Sequence, residues 1–240
     1  MKTCHLCTFA AVVLLAGCVS APSVDVDKAA ASRIKRIDIL AMPEPTERNI
    51  AVINIGGAAG AFGIIGGLVQ ASANIDHSKQ FAALLEKNKK ALSEPMLADL
   101  QKSLARDGYK TDVIRGQWPK PSADKKSDDF SGVHVDGDAI LCVSFGIVGY
   151  ASSQFSLHYE PWVMVTAQLL DAKSKQELYR KTFAVGYQMK IKNLVELDAD
   201  PRFQFGSSDD LLARSDEAAA GLVDCVGRVA DQLAVDLQGQ

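Results

Sequence analysis

The amino-acid sequence predicts an α+β domain in which a mixed sheet of about four to five strands carries two long helices on one face. Three observations predict this class. Segment 139–148 is apolar on both faces, which is typical of a central strand. Segments 162–170 and 178–187 alternate around a polar turn, as a β-hairpin does. Segments 76–107 and 207–237 repeat apolar residues with the period of a helix.

The first strand is expected at residues 33–42, ahead of a proline-rich turn. Pro43 ends it, because proline has no backbone N–H to donate to a neighbouring strand. A second, short strand is expected at 109–114. The polar residues 116–138 that follow are expected to form a loop. The apolar positions of the first strand are Ile34, Ile37, Ile39 and Leu40.

The helix at 76–107 is interrupted by its own sequence. Ser93, Glu94 and Pro95 predict either a kink or a second helix start with Pro95 in the first turn. Gly108 is placed to end the segment. The final helix, 207–237, follows a long irregular crossover at 189–206, and Ser207 or Ser208 is placed to cap its start. Its apolar stripe comprises Leu222, Val226, Val229, Leu233 and Leu237.

Residues 50–69 form an uncharged, glycine-rich insert between the first strand and the first helix. Gly56 precedes Gly60 by four residues, and the same spacing recurs from Gly63. Such spacing lets membrane helices approach each other closely. The candidate residues for contact with a partner or a membrane are Gly56, Gly60, Phe62, Gly63, Ile64 and Gly67.

Three interpretations of this insert stay open. It could be buried in its own domain, face a partner or a membrane, or span a bilayer. Its length is just sufficient to span. A single span, however, would separate strand 33–42 from the later strands with which it should pair.

The N-terminus has the pattern of an export signal. Lys2 supplies a positive charge, and the apolar run 6–15 is too short to cross a membrane. Leu15, Ala16, Gly17 and Cys18 resemble the lipobox of bacterial lipoprotein precursors. In that family the leader is cut before the cysteine, whose thiol receives a diacylglycerol and whose amine is usually acylated too, for example with palmitate. The resemblance implies lipidation of Cys18.

The same resemblance implies a location in the cell. Val19 stands where an Asp would favour retention in the inner membrane, so the chain resembles the outer-membrane majority of lipoproteins. The expected organisation is a cleaved signal peptide at 1–17, a lipidated tether at 18–32 and one periplasmic domain at 33–240. Loss of Lys2 makes the formal net charge of −3 one unit more negative. An acidic chain argues against nucleic acid as the main partner.

No sequence motif predicts catalysis, a metal site or a cofactor. Residues 134–138 contain His and Asp, but they lack the spacing and the bidentate Glu of a calcium loop. His158 lies near Glu160 at a turn, yet adjacent strand residues point apart, so no acid–base pair is predicted. Cys142 and Cys225 could form a disulfide in an oxidising compartment. Their apolar surroundings favour two buried thiols instead.

The element order and the hairpin at 169–180 resemble small envelope lipoproteins and periplasmic domains of the curli-secretion-channel and TolB-amino-terminal type. This resemblance implies the fold only.

The sequence therefore favours a non-enzymatic, outer-membrane-anchored periplasmic lipoprotein that binds or assembles in the cell envelope. The expected partners are the membrane, through the lipid, and an envelope protein or a second copy. One alternative is an oligomeric secretion-channel or pore subunit that uses 50–69 as a membrane-contacting segment. An envelope hydrolase is the third.

Overall fold

The computed structural model describes residues 20–26, 28–54, 72–122, 127–152, 158–189 and 191–238. The helices are α1 (Lys28–Ala31), α2 (Ser72–Lys87), α3 (Ser93–Arg106), α4 (Ser208–Ala213) and α5 (Ser215–Leu237). The strands are β1 (Arg36–Leu40), β2 (Ile50–Asn54), β3 (Lys110–Ile114), β4 (Lys120–Pro121), β5 (Asp128–Asp129), β6 (Ala139–Ser152), β7 (Glu160–Asp171), β8 (Glu177–Gly186) and β9 (Leu194–Leu197).

The α+β class is confirmed, with a larger sheet than the sequence predicts. Seven strands form one mixed sheet in the order β3-β1-β6-β7-β8-β9, and β2 pairs with β6. Both β1 and β2 run parallel to β6, β1 beside residues 139–141 and β2 beside residues 148–152. The expected number of about four to five strands was too low. It missed β2, which lies at the start of the glycine-rich insert, and β9, which lies within the irregular crossover.

β6 is the central strand, as its two apolar faces predict. It pairs with β1 and β2 on one edge and with β7, antiparallel, on the other. A bulge between Phe145 and Val148 separates the part beside β1 from the part beside β2. The predicted hairpin is also confirmed, because β7 and β8 pair antiparallel across a short polar turn.

Three helices, not the two expected, cover one face of the sheet: α2, α3 and α5. The segment predicted at 76–107 is two helices, and the second starts where Pro95 predicts a helix start. Glu44, in the loop after β1, accepts the backbone N–H groups of Leu92 and Ser93 at 3.0 and 2.8 Å. This carboxylate satisfies N–H groups that a helix start leaves without partners. The buried face includes Phe81, Met96, Leu100, Leu222, Val226 and Val229.

The C-terminal helical segment begins with the predicted serine cap. Ser207 Oγ accepts the backbone N–H of Asp210 at 3.1 Å, which satisfies one of the first N–H groups of α4. The backbone leaves the helical conformation at Arg214 (φ −106°, ψ 38°), and α5 starts at the next residue. The predicted single helix is therefore two consecutive ones.

The loop between β5 and β6 covers part of the other sheet face. The side chain of Asp38 is fully buried and accepts the backbone N–H groups of Asp136 and Gly137 at 3.1 and 2.8 Å. Asp138 accepts two N–H groups at the start of β1 at 2.8 and 2.9 Å. These bonds lower the pKa of Asp138. The loop closes an apolar cluster of Leu40, Phe130, Val133, Ile140, Cys142, Leu170 and Ala172.

Cys142 and Cys225 are buried free thiols, as their apolar surroundings favour. Cys142 belongs to the cluster under the loop, and Cys225 faces the helix-covered side of the sheet. Burial raises the pKa of each thiol to about 12. With the sheet between them, they cannot form a disulfide.

Gly221 permits a close approach of α5 to Tyr150 of β6 and to Phe203. A Cβ at this position would lie 2.5 Å from Tyr150 Oη and 2.8 Å from Phe203 Cβ. Tyr150 is fully buried and donates its hydroxyl to the Ala218 carbonyl at 2.9 Å. We expect Gly221→Ala to lower the free energy of unfolding by about 1–3 kcal/mol, through overpacking. Urea denaturation measures this loss.

Gly227→Ala, in the same helix, is the matched control. A Cβ there would meet only Asp99 Oδ2 at 3.2 Å, the end of a side chain that can move. Because alanine favours helix over glycine by about 1 kcal/mol, this variant should be as stable as the parent or more so. Equal stability of both variants would show that the approach of α5 at Gly221 is looser than described.

Candidate functional site at the ends of β2 and β6

The residues predicted to make contacts lie outside the described residues. These are Cys18 and the insert positions Gly56, Gly60, Phe62, Gly63, Ile64 and Gly67. The structure describes the chain on both sides of the insert. The first part of the predicted segment 50–69 is strand β2, in which Val52 and Ile53 are buried. Residues 55–71, which comprise the rest of that segment together with Gln70 and Ala71, connect the end of β2 to the start of α2. From here on, the insert means residues 55–71.

Side chains of α2 bind the backbone of β2 along its outer edge. Asn74 Oδ1 accepts the N–H of Asn54 at 3.2 Å, and Asn74 Nδ2 donates to the Asn54 carbonyl at 3.3 Å. One turn later, Ser78 Oγ accepts the N–H of Val52 at 2.9 Å. We call these three bonds the clamp. The clamp supplies partners for the edge of a short strand, which would otherwise be open to pairing.

The clamp fixes where the insert leaves and re-enters the domain. Asn54 is the last residue of β2, and Asn74 lies in the first turn of α2. The described residues on the two sides of 55–71 are therefore hydrogen-bonded to each other, through Asn54 and Asn74. The connection between β2 and α2 therefore leaves and returns at one point of the described fold.

A second connection leaves the sheet beside the insert. Asn54 is the register partner of Ser152, the last residue of β6, and the two strands are parallel. Residues 153–157, which lie outside the described part of the chain, join β6 to β7. Because adjacent strands are about 4.8 Å apart, the two connections start side by side at one end of the sheet.

An apolar cluster lies at this end, on the face away from the main helices. Its buried members are Ile53, Ala151, Trp162 and Met189. Its half-buried members are Ala51, Ile147, Met164, Tyr187, Ile191 and Leu194. The side chain of Trp162 is fully buried, and its ring packs edge-on against the Tyr187 ring with the ring centroids 5.7 Å apart. We call this group the end cluster.

Glycines make room for the backbone around Trp162. Its register partners on β6 and β8 are Gly149 and Gly186. Both have positive φ, 154° and 84°, and a Cβ at either would collide with a backbone carbonyl. The indole Nε1 of Trp162 is buried and has no hydrogen-bond partner among the described residues. The end cluster is thus a tightly packed apolar surface with one buried polar donor.

A shallow groove extends the end cluster towards α2. It has a volume of about 260 Å³, and Ala51, Ile53, Ile75 and Ile147 contribute its apolar lining. Ile75, in the first turns of α2, is 38% exposed, an unusual exposure for a large apolar side chain in the described ranges. Apolar surface therefore surrounds the point from which the insert leaves.

Burial affects the titratable side chains of this region. Burial raises the pKa of Glu160, and burial together with the charge of Glu160 raises the pKa of Tyr187. Within the described ranges, no three His, Cys, Asp or Glu side chains come together as a metal site requires. Asp138, a candidate ligand in the sequence, is occupied by backbone N–H groups.

Four aromatic side chains that could have formed one contact surface lie apart in the described residues. Phe130 is buried under the β5–β6 loop, and Trp162 is in the end cluster. Tyr159 packs in the main core, whereas Trp118 is 36% exposed. Phe155 lies outside the described residues. No described helix has the length and apolar character that a membrane crossing requires.

Asn74→Ala tests the clamp. The variant removes both bonds to Asn54, and each such bond contributes about 0.5–1.5 kcal/mol. We expect faster amide hydrogen exchange at Asn54 and through the first turns of α2, with little change in β7. Gln80→Ala, an exposed change in the same helix, should leave the exchange unaltered. Parent-like exchange in Asn74→Ala would show that the clamp does not hold the base of the insert.

No protein-family model matches the sequence, and no curated protein matches it. Solved structures that align with it include a PelC dodecamer from Paraburkholderia phytofirmans (10% identity, 91% of this chain and 96% of that chain, TM-score 0.33). Lipoprotein GNA1162 from Neisseria meningitidis aligns at 15% identity over 62% of this chain and 80% of its own, with a TM-score of 0.29. Protein XCC0632 from Xanthomonas campestris aligns at 12% identity over 83% and 81%, with a TM-score of 0.38. At such low TM-scores these likenesses carry no statement about what this chain binds.

Proposed function

We propose that this protein is a non-enzymatic lipoprotein of the bacterial cell envelope. A lipid on Cys18 anchors it to the periplasmic face of the outer membrane. The insert, residues 55–71, contacts an envelope protein or the membrane surface. The protein acts by holding that contact at a defined distance from its anchor, and its partners do not include nucleic acid.

The clamp is the observation that carries this proposal. It fixes both ends of an uncharged, glycine-rich segment at one point of a rigid sheet. A segment held in this way can change its own conformation without altering the register of β2 or α2. A partner that binds such a segment requires less reorganisation of the domain than a partner that binds a loop joining distant elements.

The surroundings of the clamp support a contact role. The groove beside it and the exposed Ile75 present apolar surface at the base of the insert. Exposed apolar surface next to an apolar segment is typical of interaction sites. The proposed lipid anchor rests on the lipobox resemblance of residues 15–18, because a diacylated cysteine gives stable membrane attachment where a single chain does not.

Replacing residues 56–67 with a short Gly-Ser linker tests the insert. The clamp holds Asn54 next to Asn74, so a short linker can close the gap. We expect the variant to keep its far-UV circular dichroism spectrum, its melting temperature within a few degrees and its membrane attachment. Crosslinking in intact envelopes, followed by purification, should no longer recover the adduct that the parent forms.

Two point variants separate contact from burial. Phe62→Asp and Ile64→Asp should abolish the same adduct without destabilising the protein. If the insert is core, each charge instead costs several kcal/mol, because burying an unpaired charge is very unfavourable. Trp118→Asp, which alters an exposed apolar side chain elsewhere, should keep the adduct. Unfolding of the deletion variant, or an adduct that survives all three insert variants, would refute the contact role.

Cys18→Ser tests the anchor separately. We expect the mature parent protein to carry the mass of a diacylglyceryl cysteine and to remain with membranes after a high-salt wash. The serine variant should lack that mass and appear in the soluble periplasmic fraction. An unmodified sulfur at Cys18, or an uncut leader, would overturn the proposed membrane location.

A further inference from the structure

Residues 20–26, which we call the strap, lie against the body of the domain. Val24 and Arg180 exchange two backbone hydrogen bonds of 2.8 and 2.9 Å. The Ala21 N–H donates to the Lys192 carbonyl at 2.9 Å. Val26 packs against the main core. The strap therefore docks beside β8 and the start of β9 by backbone bonds at both of its halves.

The docked strap leaves little chain between the domain and the anchor. Ser20 is bridged to Lys192, and only Val19 separates it from Cys18. Two residues span at most about 7 Å. Without the strap, the first residue held by the sheet would be Arg36, roughly 60 Å of extended chain from Cys18. The strap thus determines which surface lies next to the anchor.

That surface belongs to the connection from β8 to β9. Gln188, Lys192 and Asn193 are exposed, and Tyr187 and Ile191 are half-buried. We call these five residues the crossover surface. Residues 187–194 contain no Asp or Glu, and the nearest acid on the strap, Asp25, is paired with Lys181 at 3.3 Å.

This composition fits a phospholipid surface. A lysine close to an anionic leaflet contributes about 1 kcal/mol of attraction. Uncharged polar side chains such as Gln188 and Asn193 can bond to lipid headgroups without repelling the phosphates.

We propose that the crossover surface lies against the bilayer that holds position 18, with Lys192 among the phosphate headgroups. This inference rests on the proposed lipid anchor at Cys18. The strap brings the surface to the membrane, and the lysine and neutral polar groups favour it there. The partner is a phospholipid surface, and the β3 edge of the sheet faces away from it.

Fluorescence from a single labelled cysteine tests the orientation. The lipidated protein is placed on vesicles of phosphatidylethanolamine and phosphatidylglycerol that carry an energy acceptor on a fraction of their headgroups. The label is attached at Lys192→Cys or, as the matched control, at Lys110→Cys. Lys110 is exposed on β3, at the far edge of the sheet, five strand spacings or about 24 Å from β9. Cys142 and Cys225 are buried, so the introduced thiol is the one that reacts.

We expect donor quenching at position 192 to be several-fold stronger than at position 110. Equal quenching at both, or stronger quenching at 110, would overturn the proposal. Val24→Pro removes the N–H that Val24 donates to Arg180, and this change should reduce quenching at 192 towards the level at 110. Val24→Ala keeps that N–H and should preserve the difference. If Val24→Pro has no effect, the strap does not orient the domain.

A second arm separates this inference from the proposed lipidation. A hexahistidine tag replaces residues 1–18 and binds vesicles that contain a nickel-chelating lipid. If position 192 is quenched more than 110 in this arm although native Cys18 proves unmodified, the proposed anchor fails and the strap geometry stands. If native Cys18 carries a lipid but the two positions quench alike in both arms, the crossover surface fails alone. A second label at Gln188→Cys, in a chain that keeps Lys192, should be quenched less on vesicles of phosphatidylcholine with the same chelating lipid, because Lys192 then lacks an anionic surface.

Discussion

The length of β6 is the constraint on which the rest of the fold depends. Its 14 residues extend for roughly 46 Å, far more than the five residues of β1 or β2 can pair with. The two short strands therefore share one edge of β6, and the bulge between Phe145 and Val148 lies between their pairing regions. β1 pairs with the first residues of β6, and β2 pairs with its last residues. The insert, which follows β2, therefore leaves the fold beside the end of β6.

The position of β2 leaves one of its edges without a neighbouring strand, and α2 covers that edge. A five-residue strand that is paired on one edge leaves the backbone N–H and C=O groups of its other edge available for pairing with another strand. Asn74 and Ser78, one turn apart on α2, bind that edge with side-chain groups. A helix that covers an edge in this way also holds the strand in register, because slippage by one residue would move Val52 out of the core. The same bonds that protect the sheet therefore also make a rigid base for residues 55–71.

The parts of the fold that the sequence predicts are those with strong local signals. The two-sided apolar pattern of β6, the alternating β7–β8 hairpin and the Ser207 cap all depend on neighbouring residues, and all are confirmed. β2 and β9 have no such local signal. β2 is five residues at the head of an uncharged run, and β9 is formed by pairing with β8 after an irregular crossover. The α3 start depends on Glu44, which is 48 residues away along the chain.

The site was harder to predict than the fold for a related reason. Composition singles out residues 50–69, yet it cannot distinguish the strand at its head from the residues that follow. The useful signal was the pair Asn74 and Ser78, which lie four residues apart on one side of α2. Polar residues with that spacing commonly face solvent. Only the position of β2 shows that they bind a strand edge.

The strap and the clamp lie on different parts of one sheet, and this separation limits how the domain can be held. The strap is docked at β8 and β9, and the insert leaves from β2, on the other side of β6 and β7. At about 4.8 Å per strand, they are roughly 15–20 Å apart across the sheet, and they are also separated along the strands, because Asn54 lies beside the end of β6 whereas Val24 pairs near the start of β8. A domain tethered at one point can rotate about that point. A domain held by the strap at the membrane and by the insert at a partner has lost that rotation. Because the first attachment raises the effective concentration of the second, a contact too weak to persist in solution can persist at the membrane. Under the proposed lipid anchor at Cys18, the short, docked connection is what makes this coupling strong.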